Sequence, residues 1–170
     1  MTDKAPNVVN VNEIGEQKSD FGAHYASYDK QLTPALQPRM GRLGVVQTRV
    51  PPGKSACPFH THHLEDEVFF VISGRGVFRY GESMQEIKAG DCISCPAGSG
   101  IGHQLANPFE QDLIYLSIGM NDPNEVCTYP DSGKIMVNAL DKVGVFNRTD
   151  YWEGEPEVPK IFGLTEQIRG

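Results

Sequence analysis

The sequence predicts an all-β sandwich or barrel, and three observations carry that reading. Between residues 44 and 119, short runs rich in Val, Ile, Phe and Tyr alternate with Gly, Pro, Asp and Asn punctuation, the pattern of many short strands joined by tight turns. A length of 170 residues with 39% hydrophobic and 22% charged residues suits one globular domain with a real core. Within the strand-rich region, His60-Thr61-His62 stands just ahead of an acid that opens an apolar run, Glu67-Val68-Phe69-Phe70-Val71-Ile72. That placement calls for a buried partner to the acid.

Taken in order, residues 1–43 read as an N-terminal arm. It mixes polar residues, Gly and Pro with scattered apolar ones, and short strands are expected around 8–11 and 24–28. Such an arm packs on the barrel or on a second subunit, so a homodimer is expected. The barrel spans 44–140, with strands expected at 44–50, 55–62, 67–72, 76–80, 84–87, 91–95, 103–106 and 112–119. The run at 67–72 is apolar on both faces and reads as a central strand, and Arg79-Tyr80-Gly81-Glu82 reads as a hairpin turn. A further strand is expected at 135–138. Residues 141–170 read as a turn-rich C-terminal tail lying over the surface and anchored by burial of Trp152.

The chemistry concentrates on four residues. Side chains alternate along a strand, so His60 and His62 at i and i+2, roughly 6.6 Å apart, point to one face. His63 points to the other face and is excluded as a ligand. Glu67 lies at an odd offset from His62, which strict alternation would place on the wrong face. A turn or bulge at Leu64-Glu65-Asp66 resets the phase and leaves Glu65 and Asp66 solvated. His103 follows a Gly/Pro turn cluster. A divalent metal held by His60, His62, Glu67 and His103 would satisfy all four groups.

The spacing of these residues resembles the cupin superfamily. Pro52-Gly53…His60-x-His62-x4-Glu67-x6-Gly74 is similar to its first signature, and Gly90-x5-Pro96-x-Gly98…His103-x3-Asn107 to its second. The fifteen residues between Gly74 and Gly90 match the compact bacterial spacing of the superfamily. There are two departures: six rather than five residues separate Gly53 from His60, and four rather than two separate Gly98 from His103. The resemblance implies a double-stranded β-helix, or jelly-roll, barrel with one divalent metal inside on His60, His62, Glu67 and His103. Manganese, iron, zinc or nickel all suit that ligand set. The His62–Glu67 and Tyr129–Lys134 stretches are similar to small single-domain bacterial cupins described as sugar phosphate isomerases. That suggests a metal-dependent isomerase of a small, anionic sugar or sugar phosphate, in which the metal polarises a carbonyl and a base moves a proton. Glu67 and Tyr115 are the catalytic candidates, and Gln47 and Arg49 the substrate-binding ones if their strand faces turn into the barrel. The alternatives are an iron-dependent dioxygenase, a small-carboxylate lyase, and a ligand-binding or sensing module without turnover.

The formal net charge of −7 argues against nucleic-acid binding and against a polybasic membrane contact. No signal-peptide or membrane-spanning stretch is evident, so a cytoplasmic protein with reduced cysteines is expected. Cys92-Ile93-Ser94-Cys95 does not read as a metal knuckle or redox pair, because i and i+3 on a strand face opposite ways. Cys57 reads as a small buried hydrophobe. Ser132-Gly133-Lys134 lacks the glycine spacing of a phosphate loop.

Overall fold

The computed structural model describes residues 7–39 and 42–169. In chain order its strands are β1 (Gln17–Phe21), β2 (Tyr25–Gln31), β3 (Leu43–Val50), β4 (Lys54–Ser55), β5 (Thr61–His62), β6 (Glu67–Ser73), β7 (Arg75–Tyr80), β8 (Ser83–Lys88), β9 (Cys92–Cys95), β10 (His103–Asn107), β11 (Leu113–Met120), β12 (Val126–Tyr129), β13 (Lys134–Val137) and β14 (Lys142–Gly144). One α-helix, α1 (Lys160–Arg169), follows. A large sheet runs β8-β7-β10-β4-β2-β3-β11-β6-β9, with β1 added to β2, and a small sheet runs β14-β13-β12-β5. All pairings are antiparallel except that of β2 with β4.

The large sheet is curled, and its core shows it. Val71 of β6 and Ile87 of β8 stand near opposite ends of the strand order, yet both belong to one buried cluster with Val50, Phe69, Ile93, Leu105, Leu113 and Tyr115. Each lies on the concave side of its strand. Alternation does the sorting: on β6, Phe69 and Val71 are buried whereas Phe70 and Ile72 are exposed. The sharp turn from β6 to β7 requires Gly74, whose φ is +81°; a Cβ there would run into the Asp112 carbonyl. The curl of this sheet into a half-barrel is therefore a consequence of pattern plus turn chemistry.

Several elements differ from expectation. No strand forms at 8–11: the Asn10 side chain accepts the Asn12 N–H at 2.9 Å and its carbonyl accepts that of Glu13, folding the segment into turns. The arm is also more integrated than expected, because β2 sits between β3 and β4 in the main sheet. The strand expected at 55–62 is split. Pro58 lacks an N–H, and the chain leaves the large sheet after Ser55 and joins the small one at Thr61. His60 survives as an isolated bridge to His103. The tail contains α1 rather than turns alone, and Trp152 is 74% exposed rather than buried.

Candidate metal centre

The break at Pro58 positions the first two histidines. His60 is held by its bridge to His103, with backbone bonds in both directions, and His62 by β5 pairing with Cys127 of β12. Glu67 opens β6 after the turn at 63–66 has reset its phase, and His103 opens β10. The Phe59 ring packs where a side chain on Gly102 would stand, fixing the approach to His103. The four ligand atoms, three imidazole nitrogens and one carboxylate oxygen, lie within 4.8 Å of one another.

Glu67 Oε2 is the focus. It is 2.8 Å from His103 Nε2, 3.3 Å from His62 Nε2 and 3.7 Å from His60 Nε2. Both imidazoles of the His-x-His pair present Nε2 inward because their Nδ1 atoms face acceptors. His60 Nδ1 lies 2.8 Å from the Pro58 carbonyl. His62 Nδ1 lies 3.3 Å from Cys127 Sγ and 3.5 Å from Glu125 Oε1. A hydrogen on each Nδ1 leaves each Nε2 with a lone pair, the tautomer a metal ligand needs. The two Nε2 atoms are 3.1 Å apart, so two lone pairs would confront each other unless a proton or a cation stands between them. Donor set, tautomers and mutual repulsion all fit a bound divalent cation.

Without a metal, protons fill that role. Burial opposes charging of His60, but contacts with Cys57 and the Glu67 carboxylate outweigh it and push its pKa up to about 11. Burial likewise opposes charging of His62, but Cys127 and Glu67 raise its pKa to about 10. Burial alone would raise the Glu67 carboxyl, yet the three histidines around it hold it far below the usual carboxylate range. His103 is lowered, chiefly by burial.

Two residues that the sequence reading passed over complete this centre. Glu125 is fully buried, and its carboxylate accepts the backbone N–H of His63 at 2.7 Å and of Leu64 at 2.8 Å. Cys127 is buried beside it against His62. The signal was available: Glu125-Val126-Cys127 repeats the i, i+2 pattern of His60-Thr61-His62 on the partner strand. Tyr129, next on that face, has its ring 6.2 Å from that of His60. Glu65 is not solvated as expected; its side chain is mostly buried and accepts the Asp122 N–H at 2.5 Å.

The other candidates fall elsewhere. Gln47 and Arg49 lie on the face of β3 opposite Thr48 and Val50, which pair across from buried Tyr115 and Leu113. Arg49 is clamped outside the barrel by Glu16 at 2.6 Å and Asp112 at 3.1 Å, over the Tyr28 ring. Neither residue joins the cluster. Tyr115 does point inward, but it meets the cluster through Phe69, whose ring contacts both Tyr115 and His103. Burial raises its phenol well above its ordinary pKa, so it stays protonated. Cys92 is exposed whereas Cys95 is buried, with its thiol pushed up to about 12 by burial, so the Cys-x-x-Cys is no pair.

Comparison with known proteins agrees with this geometry. Residues 46–119 match the cupin domain family. The fold is shared with a protein of Acidithiobacillus ferrooxidans provisionally named a sugar phosphate isomerase, at a TM-score of 0.72 and 21% identity, covering 82% of this chain and 92% of that one. It is shared with a sugar phosphate isomerase of the cupin superfamily from Silicibacter pomeroyi at 0.68 and 22%, covering 89% and 97%. It is also shared with a predicted oxalate decarboxylase of Thermotoga maritima at 0.59 and 24%, covering 68% and 99%. At these identities the likeness is one of fold. The oxalate-binding protein of Thermotoga maritima is 36% identical over 70 residues, 41% of this chain; the match spans 55% of that relative's length. Among the described residues, no helix is long and apolar enough to cross a membrane.

Proposed function

We propose that His60, His62, Glu67 and His103 hold one divalent metal and that the protein is a metal-dependent enzyme acting on a small anionic substrate, an isomerase of a sugar phosphate. The observation that carries the metal is the convergence of three Nε2 atoms and one carboxylate oxygen within 4.8 Å, with two of the nitrogens 3.1 Å apart. Bound there, a divalent ion would polarise a substrate carbonyl and favour an anionic ligand, since one carboxylate leaves it net positive. Tyr129 stands at the edge of the cluster, and burial raises its phenol so that it is a proton donor rather than a base at neutral pH. Tyr115, kept neutral behind Phe69, supports the wall rather than the reaction. The isomerase reading is supported by the fold shared with two proteins so named.

A second reading is favoured by one observation, the match to a relative named for binding oxalate. A small dicarboxylate would suit the same positive centre. The two readings separate in one experiment. The metal-loaded protein is incubated with aldose and ketose phosphates in deuterated water, and in parallel with oxalate. Incorporation of deuterium at the carbon beside the carbonyl, lost in Glu67→Gln, supports the isomerase. Binding or decarboxylation of oxalate without any exchange on the sugars overturns it.

A further inference from the structure

One face of the small sheet leads outward from the candidate metal centre. Residues directly opposite each other in an antiparallel pair share a face. Cys127 stands opposite His62, and Tyr129 opposite Lys134. Cys127 and Tyr129 are two positions apart on β12, so His62, Cys127, Tyr129 and Lys134 all lie on that face. The spacing follows the same order. The Tyr129 ring is 6.2 Å from that of His60, and Lys134 Nζ is 5.3 Å from the Tyr129 ring.

The turn that carries Lys134 is fastened. Ser132 and Gly133 both donate their N–H to the Tyr129 carbonyl, at 3.1 and 2.8 Å. Asp131 gives its two carboxylate oxygens to Arg79 at 2.7 and 3.1 Å, and that guanidinium lies 3.6 Å over the Phe59 ring. A cleft of about 500 Å³ opens at this turn, with Lys134, Ser132, Pro58 and Phe59 in its wall. Two acids line it as well, and both are matched: Asp131 by Arg79 and Asp20 by Lys18. Lys134 pairs with no carboxylate among the described residues. The charge left over beside Tyr129 is therefore positive. Ser132-Gly133-Lys134 lacks the glycine spacing of a phosphate loop, and what the turn presents is accordingly a side-chain charge rather than a backbone cradle.

Resting on the isomerase reading above, we propose that Lys134, with Ser132 beside it, holds the terminal phosphate of the substrate while its carbonyl end lies at the metal. An extended chain advances about 1.2 Å per bond, so carbonyl carbon and phosphorus in an open-chain pentose 5-phosphate stand roughly 7 Å apart. Such a molecule starts at the cluster, passes Tyr129 and ends at Lys134. A triose phosphate is two bonds shorter and falls short of the lysine. Lys134 is thus a specificity-determining residue that selects five- and six-carbon sugar phosphates.

Ribitol 5-phosphate carries the phosphate but no carbonyl to isomerise, so its binding reads the anchor apart from the reaction. The metal-loaded full chain is titrated calorimetrically with ribitol 5-phosphate and with ribitol. A charge-assisted contact of this kind predicts a preference for the phosphate of at least about tenfold. Lys134→Ala should remove most of that preference and Lys134→Arg should keep it. Thermal unfolding and bound metal should not move in either variant, because the side chain is exposed. A Lys134→Ala variant that keeps the preference would overturn the proposal, whichever cation then holds the phosphate. Failure of the isomerase reading looks different. A Lys134-dependent preference without deuterium exchange on any aldose phosphate keeps the anchor and removes the reaction. Exchange on a pentose phosphate whose KM is unchanged in Lys134→Ala removes the anchor and keeps the reaction.

Discussion

Replacing Glu125 by alanine removes the acceptor of two backbone N–H groups at once, those of His63 and Leu64, bonded at 2.7 and 2.8 Å. These amides belong to the irregular turn that carries the chain from His62 to Glu67, and that of His63 also donates to the Val126 carbonyl of β12 at 3.2 Å. A hydrogen bond to a charged acceptor contributes about 1.5–3 kcal/mol, and an unpaired buried donor costs a similar amount. The donors are only partly buried and the His63 amide keeps its Val126 acceptor, so part of this is recovered, and the expected loss is about 1–3 kcal/mol for Glu125→Ala. Glu125→Gln keeps one acceptor oxygen and turns an N–H₂ toward the other amide, so it should lose roughly half as much. Urea unfolding of the metal-free proteins, read as a shift of midpoint at constant slope, measures both. A Glu125→Ala variant within about 0.5 kcal/mol of the parent would refute the view that this carboxylate fastens the turn.

Three further outcomes follow. In the metal-free protein His60 and His62 titrate above their ordinary 6.5, at about 11 and about 10. Their contribution to stability is fully present below pH 6.5 and is lost as pH rises toward those values; metal affinity must run the other way, rising with pH as ligand protons are displaced. Unfolding and calorimetric titrations across pH 6.5–10 check this, and parallel slopes would contradict it. Arg49→Ala cuts an outer-face clamp between Glu16 and Asp112 and should cost no more than about 1 kcal/mol, with metal affinity unchanged. Gly74→Ala puts a Cβ into the Asp112 carbonyl at a positive φ and should cost about 2–4 kcal/mol in thermal or urea unfolding.

The legible parts of this protein are those where local pattern and tertiary need coincide. The phase-resetting turn before Glu67 could be placed because an acid had to enter an apolar strand from the correct side, whereas the concave side of β6 could not, since the run at 67–72 is apolar on both faces and only the structure buries Phe69 and Val71. The split at Pro58 was less legible, since 55–62 alternates well enough for one strand and only the pairing of Thr61 and His62 with β12 pulls it into another sheet. Which face of β3 turns inward was not legible at all. Arg49 and Thr48 are both polar, and the choice rests on Asp29, whose carboxylate accepts the Thr48 hydroxyl at 2.7 Å inside the sheet, while Glu16 and Asp112 take Arg49 outside. Glu125 and Cys127 were hidden because their partner residues lie some sixty positions away. The tail carried no periodicity that distinguished a buried anchor from an exposed one; Trp152 reads the same in either role.

The most direct test of the central claim is metal stoichiometry by elemental analysis of the full chain, set against a His60→Ala/His103→Ala variant whose secondary structure is verified by circular dichroism. The account predicts about one manganese, iron, zinc or nickel ion per chain in the parent and none in the variant. A parent that takes up no ion after reconstitution with each metal, or a variant that keeps the parent's full complement, would contradict it.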